Sequence, residues 1–293
     1  EIMSKLKGSS MKKIVIKKQW VNEHRRLFRC SVCQAPIKGV FENSLVCKQG
    51  HAIDFNKHGY LYFLNNGNGT DYDRAMFEAR RRMLSAGLFL PMLKQINAEL
   101  PDQPQTILDV GTGEGTPLFQ LETLRNQKDA AIGFDISKAG VQLAAQLPGK
   151  LFFCVADLRR LPFADESFDQ VMELFSPSDY QEFDRILKPG GQLLKIIPNA
   201  NYLIELRHLL YDQNDQHAAY DNTPVVERFM QHYQQARIIP LQYQFEIPLG
   251  LAEDLVEMSP LHWGRNAKQL DESDLSSLKQ VTVDVSLLIG KKI

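Results

Sequence analysis

Two groups of residues carry chemistry that their spacing makes specific. Cys30, Cys33, Cys47 and His51 form the pattern C-x2-C-x13-C-x3-H. A C-x2-C pair on a tight turn aims both sulfurs at one ion. The turn CKQGH, eased by Gly50, adds one sulfur and one imidazole. Three thiolates and an imidazole fill a tetrahedral Zn2+ shell and leave no position for water, so the spacing predicts a structural ion, not a catalytic one. In so short a segment the ion supplies much of the folding free energy, ~10–16 kcal/mol of apparent binding in zinc-finger peptides. The fourth cysteine, Cys154, stands alone in the apolar run LFFCVAD, so the set is not a disulfide framework. His24 and His58 lie nearby without the spacing and read as solvated surface residues.

The second group begins at QTILDVGTGEG. Thr106–Val110 is a short apolar strand, Gly111, Thr112, Gly113, Glu114 and Gly115 form a glycine-rich turn, and the residues after it read as helix. This is the first half of a Rossmann-type unit, whose glycines let the backbone approach a cofactor and whose helix start offers unpaired amides. The pattern is D-x-G-x-G-x-G, not G-x-G-x-x-G. A pyrophosphate would suffer from a carboxylate at Asp109. S-adenosylmethionine has no phosphate, and its amino group and sulfonium favour one. The loop chemistry therefore prefers S-adenosylmethionine to a nicotinamide dinucleotide.

Further carboxylates follow at strand ends. AIGFDI (131–136) is a second strand ending in Asp135, placed to accept from both ribose hydroxyls. LFFCVADL gives a third strand with Ala156, Asp157 and Leu158 just past its end, placed to meet the adenine. SFDQVMELFSPSD is a fourth strand with its exit loop. FDRILKPGGQLLKIIP reads as helix, Pro-Gly-Gly turn and fifth strand. A lone strand-end Asp is more often a cap than a ligand, so the weight lies in five elements arriving in order.

These groups need elements to position them. DRAMFEARRRMLSAGLFLPMLKQINAEL reads as helix, with Gly87 ending its first half. Arg80, Arg81 and Arg82 are consecutive, splay around that helix, and suggest an anion-binding surface. NYLIELRHLLYDQNDQHAAYDNTPVVERFMQHY (201–233) has helical apolar spacing and reads as a lid over the cleft, with His208, His217 and His232 as solvated or capping residues. The boundaries drawn are a basic tail over 1–27, its first residues read as appended to the natural chain; a zinc-binding domain over 28–66, to which the resemblance described below adds RNA recognition; linker helices over 67–100, entered through an Asn/Gly hinge; and the cofactor domain over 101–293.

The 293 residues, 44% hydrophobic and 24% charged, suit a globular chain of about two domains and exclude a collagen-like, coiled-coil or wholly disordered one. No apolar run approaches a bilayer span, and no secretory signal is read, so a cytoplasmic protein is expected. The net charge of −1 hides an asymmetry. Residues 1–100 hold 17 Lys and Arg against 8 Asp and Glu, whereas the remainder holds 17 against 27. A basic front half suits a phosphate-bearing partner.

The strand and loop order resembles class I S-adenosylmethionine-dependent methyltransferases. That resemblance implies a Rossmann-like α/β sheet of strand order 3-2-1-4-5-7-6, with VTVDVSLLIG (281–290) as antiparallel strand 7 and YQFEIPLGL (243–251) as strand 6. The whole chain, over roughly 28–293, resembles the RlmA family of bacterial rRNA large-subunit guanine-N1 methyltransferases. The matching features are the Cys3His set, HAIDFNKHGYLYFL, Ala79–Arg81 with Ala86, Gly87 and Pro91, FSPS at Phe175–Ser178, and MSPLHW at Met258–Trp263. Ser178 stands where the family has a Cys, so no thiol nucleophile is available there, and N1 methylation needs none. The resemblance implies a 23S rRNA hairpin loop as substrate, a zinc module that helps grip it, and a homodimer. In class I enzymes the exit of strand 4 faces the transferred methyl. Phe175 and Trp263 are therefore expected to stack on the base, Ser176 or the backbone near Pro177 to bond its edge, and Glu173 or Asp179 to act as base. Three other readings compete: a small-molecule methyltransferase, against which the zinc module and basic front half speak; a non-catalytic zinc-containing RNA-binding protein, against which the intact glycine loop speaks; and a DNA-binding regulator, for which no recognition helix is found.

Overall fold

The computed structural model describes residues 13–64, 73–212 and 220–293. The expected hinge at 65–72, His217 and the first part of the tail lie outside the described residues.

The chain opens with helix α1 (Lys13–Glu23), followed by a three-stranded antiparallel sheet, β1 (Ile37–Phe41), β2 (Ser44–Cys47) and β3 (Ala52–Asp54), and by the short strand β4 (Leu61–Tyr62). Helices α2 (Arg74–Ser85) and α3 (Leu90–Glu99) come next, broken at Gly87, whose φ of +103 no helix accepts. Strands and helices then alternate: β5 (Thr106–Val110), α4 (Thr116–Leu124), β6 (Ala130–Asp135), α5 (Lys138–Ala144), β7 (Phe152–Val155), β8 (Phe168–Leu174), α6 (Tyr180–Ile186) and β9 (Leu187–Pro198). The chain closes with α7 (Ile204–Leu210), α8 (Thr223–His232), β10 (Arg237–Glu246), α9 (Ala252–Glu257), α10 (Glu272–Ser277) and β11 (Gln280–Lys291).

The main sheet has the order β10-β11-β9-β8-β5-β6-β7-β4. Its first seven strands are the expected 3-2-1-4-5-7-6 order read from the other edge. β5 to β9 pair parallel, and β11 runs antiparallel to both β9 and β10. The reversal of strand order between β5 and β8 opens a crevice at their carboxyl ends, which is where open α/β sheets bind ligands. The eighth strand, β4, belongs to the front segment and pairs parallel with β7 through Leu61↔Cys154 and Tyr62↔Val155.

Alternation along β5 explains the layers. Ile107 points into a core shared with α2 to α5, α7 and α9; Leu108 and Val110 point into a second core shared with α1, the cysteine-bearing lobe, α6 and α8. The cysteine-bearing lobe thus covers part of one sheet face instead of hanging beside it. Phe28 is buried against Phe152 and Phe163, with ring centroids 5.8 and 5.7 Å away. Each fully buried aromatic contributes about 1.5–3 kcal/mol.

Four expectations change in detail. Much of the basic tail is α1, tied down because Trp20 stacks on Phe152 at 5.7 Å and the buried Lys17 ammonium donates to the Gly149 and Leu151 carbonyls. His24 is half-buried, stacked 4.2 Å from Trp20, with Nδ1 bonded to the Trp20 carbonyl at 2.9 Å, so it is not a solvated residue. The Pro-Gly-Gly turn is a bulge inside β9: the register runs Phe168↔Leu187, then Gln170↔Gln192, with Gly190 at φ +79. The expected strand 6 begins earlier, at Arg237, and Pro248–Leu251 lies beyond its end.

Candidate active site

The four residues of the Cys3His pattern come together as their spacing requires. Two tight turns face each other. In the first, Gln34 N–H donates to the Cys30 carbonyl at 2.8 Å and Gln34 takes φ +62; in the second, Gly50 N–H donates to the Cys47 carbonyl at 3.0 Å with Gly50 at φ +88. The four ligand atoms lie within 4.8 Å of one another. Cys33 Sγ is 3.8 Å from Cys47 Sγ, and His51 Nδ1 is 3.6 Å from Cys47 Sγ and 3.2 Å from Cys33 Sγ. Zn–S bonds of ~2.3 Å and Zn–N of ~2.0 Å in a tetrahedron require about 3.8 Å between sulfurs and about 3.5 Å from sulfur to nitrogen. The donor set therefore fits one tetrahedral ion.

At the carboxyl ends of the parallel strands lies a cavity of about 1070 Å³. That exceeds the ~300–1,000 Å³ of an ordinary ligand pocket, leaving room for a cofactor and a second group. Gly111 and Gly113 form its floor, with φ of +66 and +56. A Cβ on Gly111 would sit 2.8 Å from Ser176 Cβ, so any side chain there would push apart the loops after β5 and β8. Asp135 lines the cavity at the end of β6 and accepts from the Gly113 and Ser137 amides at 2.8 and 2.7 Å. Burial pushes its carboxyl above the usual range, against the pull of those amides and of Arg80. Ala156, Asp157 and Leu158 line the cavity past β7, where Asp157 caps a short turn by accepting from Arg159 N–H at 3.0 Å.

Three expected cofactor residues stand behind this surface. Asp109 is buried beneath the loop and accepts from the Thr112 hydroxyl at 2.6 Å. Glu114 is fully buried and accepts from Arg81 Nε at 3.1 Å and from the Thr116 hydroxyl at 2.6 Å, pinning α2 to the loop. Gly115, at φ +84, packs α4 on the sheet: a Cβ there would meet Ala144 and Phe153 at 2.9 Å. None of the three lines the cavity.

The far end is aromatic. Phe175, at φ +56, lines the cavity with its ring 5.4 Å from Phe89 and 5.1 Å from Tyr202. A bulky residue in left-handed backbone costs about 1–3 kcal/mol and persists where the surroundings hold it, commonly at functional sites. Pro177 and Trp263 also line this end, and the Trp263 side is 42% exposed, so it stands at the mouth. The Ser176 hydroxyl is engaged: it donates to the Val110 carbonyl at 2.8 Å and ties the β8 exit loop to β5.

Neither carboxylate expected as base faces the cavity. Glu173 is fully buried, ion-paired with Lys195, and accepts from the Ser178 hydroxyl at 2.9 Å. Asp179 instead caps α6 by accepting from Glu182 N–H at 3.1 Å, and it lines a separate hollow with Tyr180, Arg228 and His232. His232 bonds Asp184 at 2.8 Å, and His208 is exposed. Two of the three arginines do not form an anion-binding face: Arg81 pairs with Glu114, and Arg82 makes a two-pronged pair with Asp254 at 2.7 and 2.6 Å, whereas Arg80 lines the cavity. Sequence reasoning missed Tyr202, Arg207 and Tyr211 in the cavity wall, which Met258 of the MSPLHW segment also joins. For Tyr202 and Arg207 the available signal was their place at the start of the insertion after β9.

A family model described as a methyltransferase domain matches residues 101–244. The Bacillus subtilis protein YxjB, which carries the name of a 23S rRNA (guanine-N(1)-)-methyltransferase, is 38% identical over 275 residues, 91% of this chain and 97% of YxjB. The chain belongs to the 23S rRNA (guanine-N1)-methyltransferase family. The 23S rRNA (guanine(748)-N(1))-methyltransferase of Streptomyces fradiae is 26% identical over 90% of this chain and 96% of its own. By contrast, the demethylmenaquinone methyltransferase of Deinococcus radiodurans is 30% identical over only 47% of this chain and 63% of its own. The guanine-N1 family shares nearly the full length, whereas the quinone enzyme shares only part of it. As a member of that family the chain is an S-adenosylmethionine-dependent methyltransferase, and its Rossmann-like sheet is the expected one.

Proposed function

We propose that the protein transfers the methyl group of S-adenosylmethionine to N1 of a guanine in a hairpin loop of 23S rRNA, acting as a cytoplasmic homodimer with zinc in its Cys3His lobe. The observation that carries this reading is the near full-length likeness to YxjB, through the metal lobe as well as the methyltransferase core. Among the described residues no helix is long and apolar enough to cross a membrane.

In this reading the residues of the cavity floor would hold the cofactor, which would supply the electrophilic methyl group. Asp135 accepts from its ribose hydroxyls, Ala156, Asp157 and Leu158 hold its adenine, and Gly111 and Gly113 let it approach the backbone. Asp109 contributes negative charge from below, and Glu114 and Gly115 keep the loop in place. The target guanine is unstacked and enters the aromatic end, where Phe175 and Trp263 take up its faces. Ser176 and Pro177 act through backbone, because the Ser176 hydroxyl already bonds Val110. Neither Glu173 nor Asp179 takes the N1 proton from where it stands. Exposed Lys38, Lys48, Lys57 and Arg26 give the metal lobe a basic surface for the RNA backbone.

The test is incubation with labelled S-adenosylmethionine and unmodified 23S rRNA, with a demethylated menaquinone in parallel. The expected result is label in the RNA and a primer-extension stop at one guanine, since N1-methylguanine blocks pairing. Label in the quinone alone would replace this reading with the small-molecule one.

A further inference from the structure

Three consecutive arginines on one helix point about 100° apart, so they cannot share a partner. Arg81 reaches the glycine loop through Glu114, and Arg82 reaches α9 through Asp254. With the helix held at those two contacts, Arg80 is turned into the cavity. Its guanidinium lies over the Phe89 ring, 5.4 Å from the centroid, and its Nε is 3.8 Å from where a Cβ on Gly113 would sit. Its charge acts on both Asp109 and Asp135. Among the described residues Arg80 has no carboxylate within bonding distance.

We propose that Arg80 holds the α-carboxylate of the cofactor's methionine moiety, an assignment that rests on the cofactor placement above. If the ribose meets Asp135 and the adenine meets Ala156–Leu158, the rest of the cofactor runs over Gly111 and Gly113 toward α2. That end carries an ammonium and a carboxylate. A carboxylate taken into a largely apolar cavity needs a cation with directed donors, and a guanidinium offers two parallel N–H groups. The other guanidinium groups of the cavity are placed differently: Arg159 follows Asp157 at the adenine end, and Arg207 lies on α7, where it donates to the Tyr202 carbonyl at 3.1 Å. Asp109 beneath the loop and Arg80 above it then form a pair of opposite charges matched to the ammonium and carboxylate of one amino acid. The Arg81 and Arg82 ion pairs fix the helix so that this match is set before the cofactor arrives.

The experiment is calorimetric, on the full chain, with two ligands. S-adenosylhomocysteine carries the amino-acid end; 5′-methylthioadenosine keeps the adenosine and sulfur but lacks it. Arg80→Gln is expected to weaken S-adenosylhomocysteine binding by about 10–100-fold, the worth of a charge-assisted hydrogen-bonded pair, and to leave 5′-methylthioadenosine unchanged. Arg80→Lys, which keeps the charge without the fork, should fall between. Unchanged S-adenosylhomocysteine affinity, or equal losses for both ligands, would overturn the proposal. So would a selective loss in Arg207→Gln with none in Arg80→Gln. If the unaltered chain binds neither ligand, the cofactor placement itself falls, a failure distinguishable from that of Arg80.

Discussion

Asp109 gives the sharpest quantitative consequence of the site. Its carboxyl is buried beneath the glycine loop, and burial pushes it up to about 7, against the Thr112 hydroxyl bond and the Arg80 charge, which both pull it down. An aspartate that titrates higher folded than unfolded binds its proton more tightly in the native state. That contribution to stability is fully present below about pH 4, is lost as the pH rises toward 7, and leaves a constant penalty above 7. Raising the carboxyl from its usual 3.8 to about 7 corresponds to about 4 kcal/mol. Asn cannot ionise, so Asp109→Asn removes the penalty and keeps the shape. The stability of the variant relative to the parent should therefore rise by about 3 kcal/mol between pH 5 and pH 8, measured by urea unfolding without cofactor. The same change removes the negative charge beneath the cofactor's cationic groups, so calorimetry should show much weaker S-adenosylmethionine binding, and Asp109→Ala should abolish it. A stability difference that does not change with pH, or retained affinity, would refute the reasoning.

Other perturbations follow from the same geometry. Lys195→Met leaves Glu173 buried without its cation and should cost about 3–5 kcal/mol in urea unfolding, with most of it recovered in Lys195→Met/Glu173→Met; an additive double variant would contradict the pairing. Removing metal with a chelator should lower the melting temperature of the whole chain in a single transition, because the lobe shares its core with β5 to β7; an unchanged melting temperature, or a separate early transition, would count against that shared core. Phe175→Ala should keep S-adenosylhomocysteine affinity and slow methyl transfer to RNA by about 10–100-fold, the worth of one stacked base; transfer at the parent rate would remove Phe175 from the base pocket.

Much of this was legible in the residues because local rules and the tertiary fold agree. The Cys3His spacing fixed the ligand set, since two short turns leave four donors few other ways to meet. The glycine loop and strand-end carboxylates marked the alternating strands and helices, each being a local motif with its own turn chemistry, while the order of the strands across the sheet came from the resemblance to class I methyltransferases. What escaped was decided by packing between distant segments. The pairing of the two-residue strand β4 with β7, which extends the main sheet, is signalled by no periodicity. α1 looks like a solvated basic segment until Trp20 is found on Phe152. The partners of Arg81 and Arg82 lie 33 and 172 residues away, so a run that resembles a charged face in sequence is in fact two ion pairs and one cleft-facing cation. Glu173 and Asp179 flank the expected loop, yet a buried lysine on β9 claims one and a helix start claims the other.

Methylation of N1 of a guanine in large-subunit rRNA is the chemistry assigned to this cleft. It is tested most directly by digesting 23S rRNA to nucleosides after reaction with isotopically labelled S-adenosylmethionine and resolving the products by mass spectrometry. Labelled 1-methylguanosine is expected, about one per RNA chain. Label confined to another methylated nucleoside, or absent from RNA that the protein demonstrably binds, would contradict it.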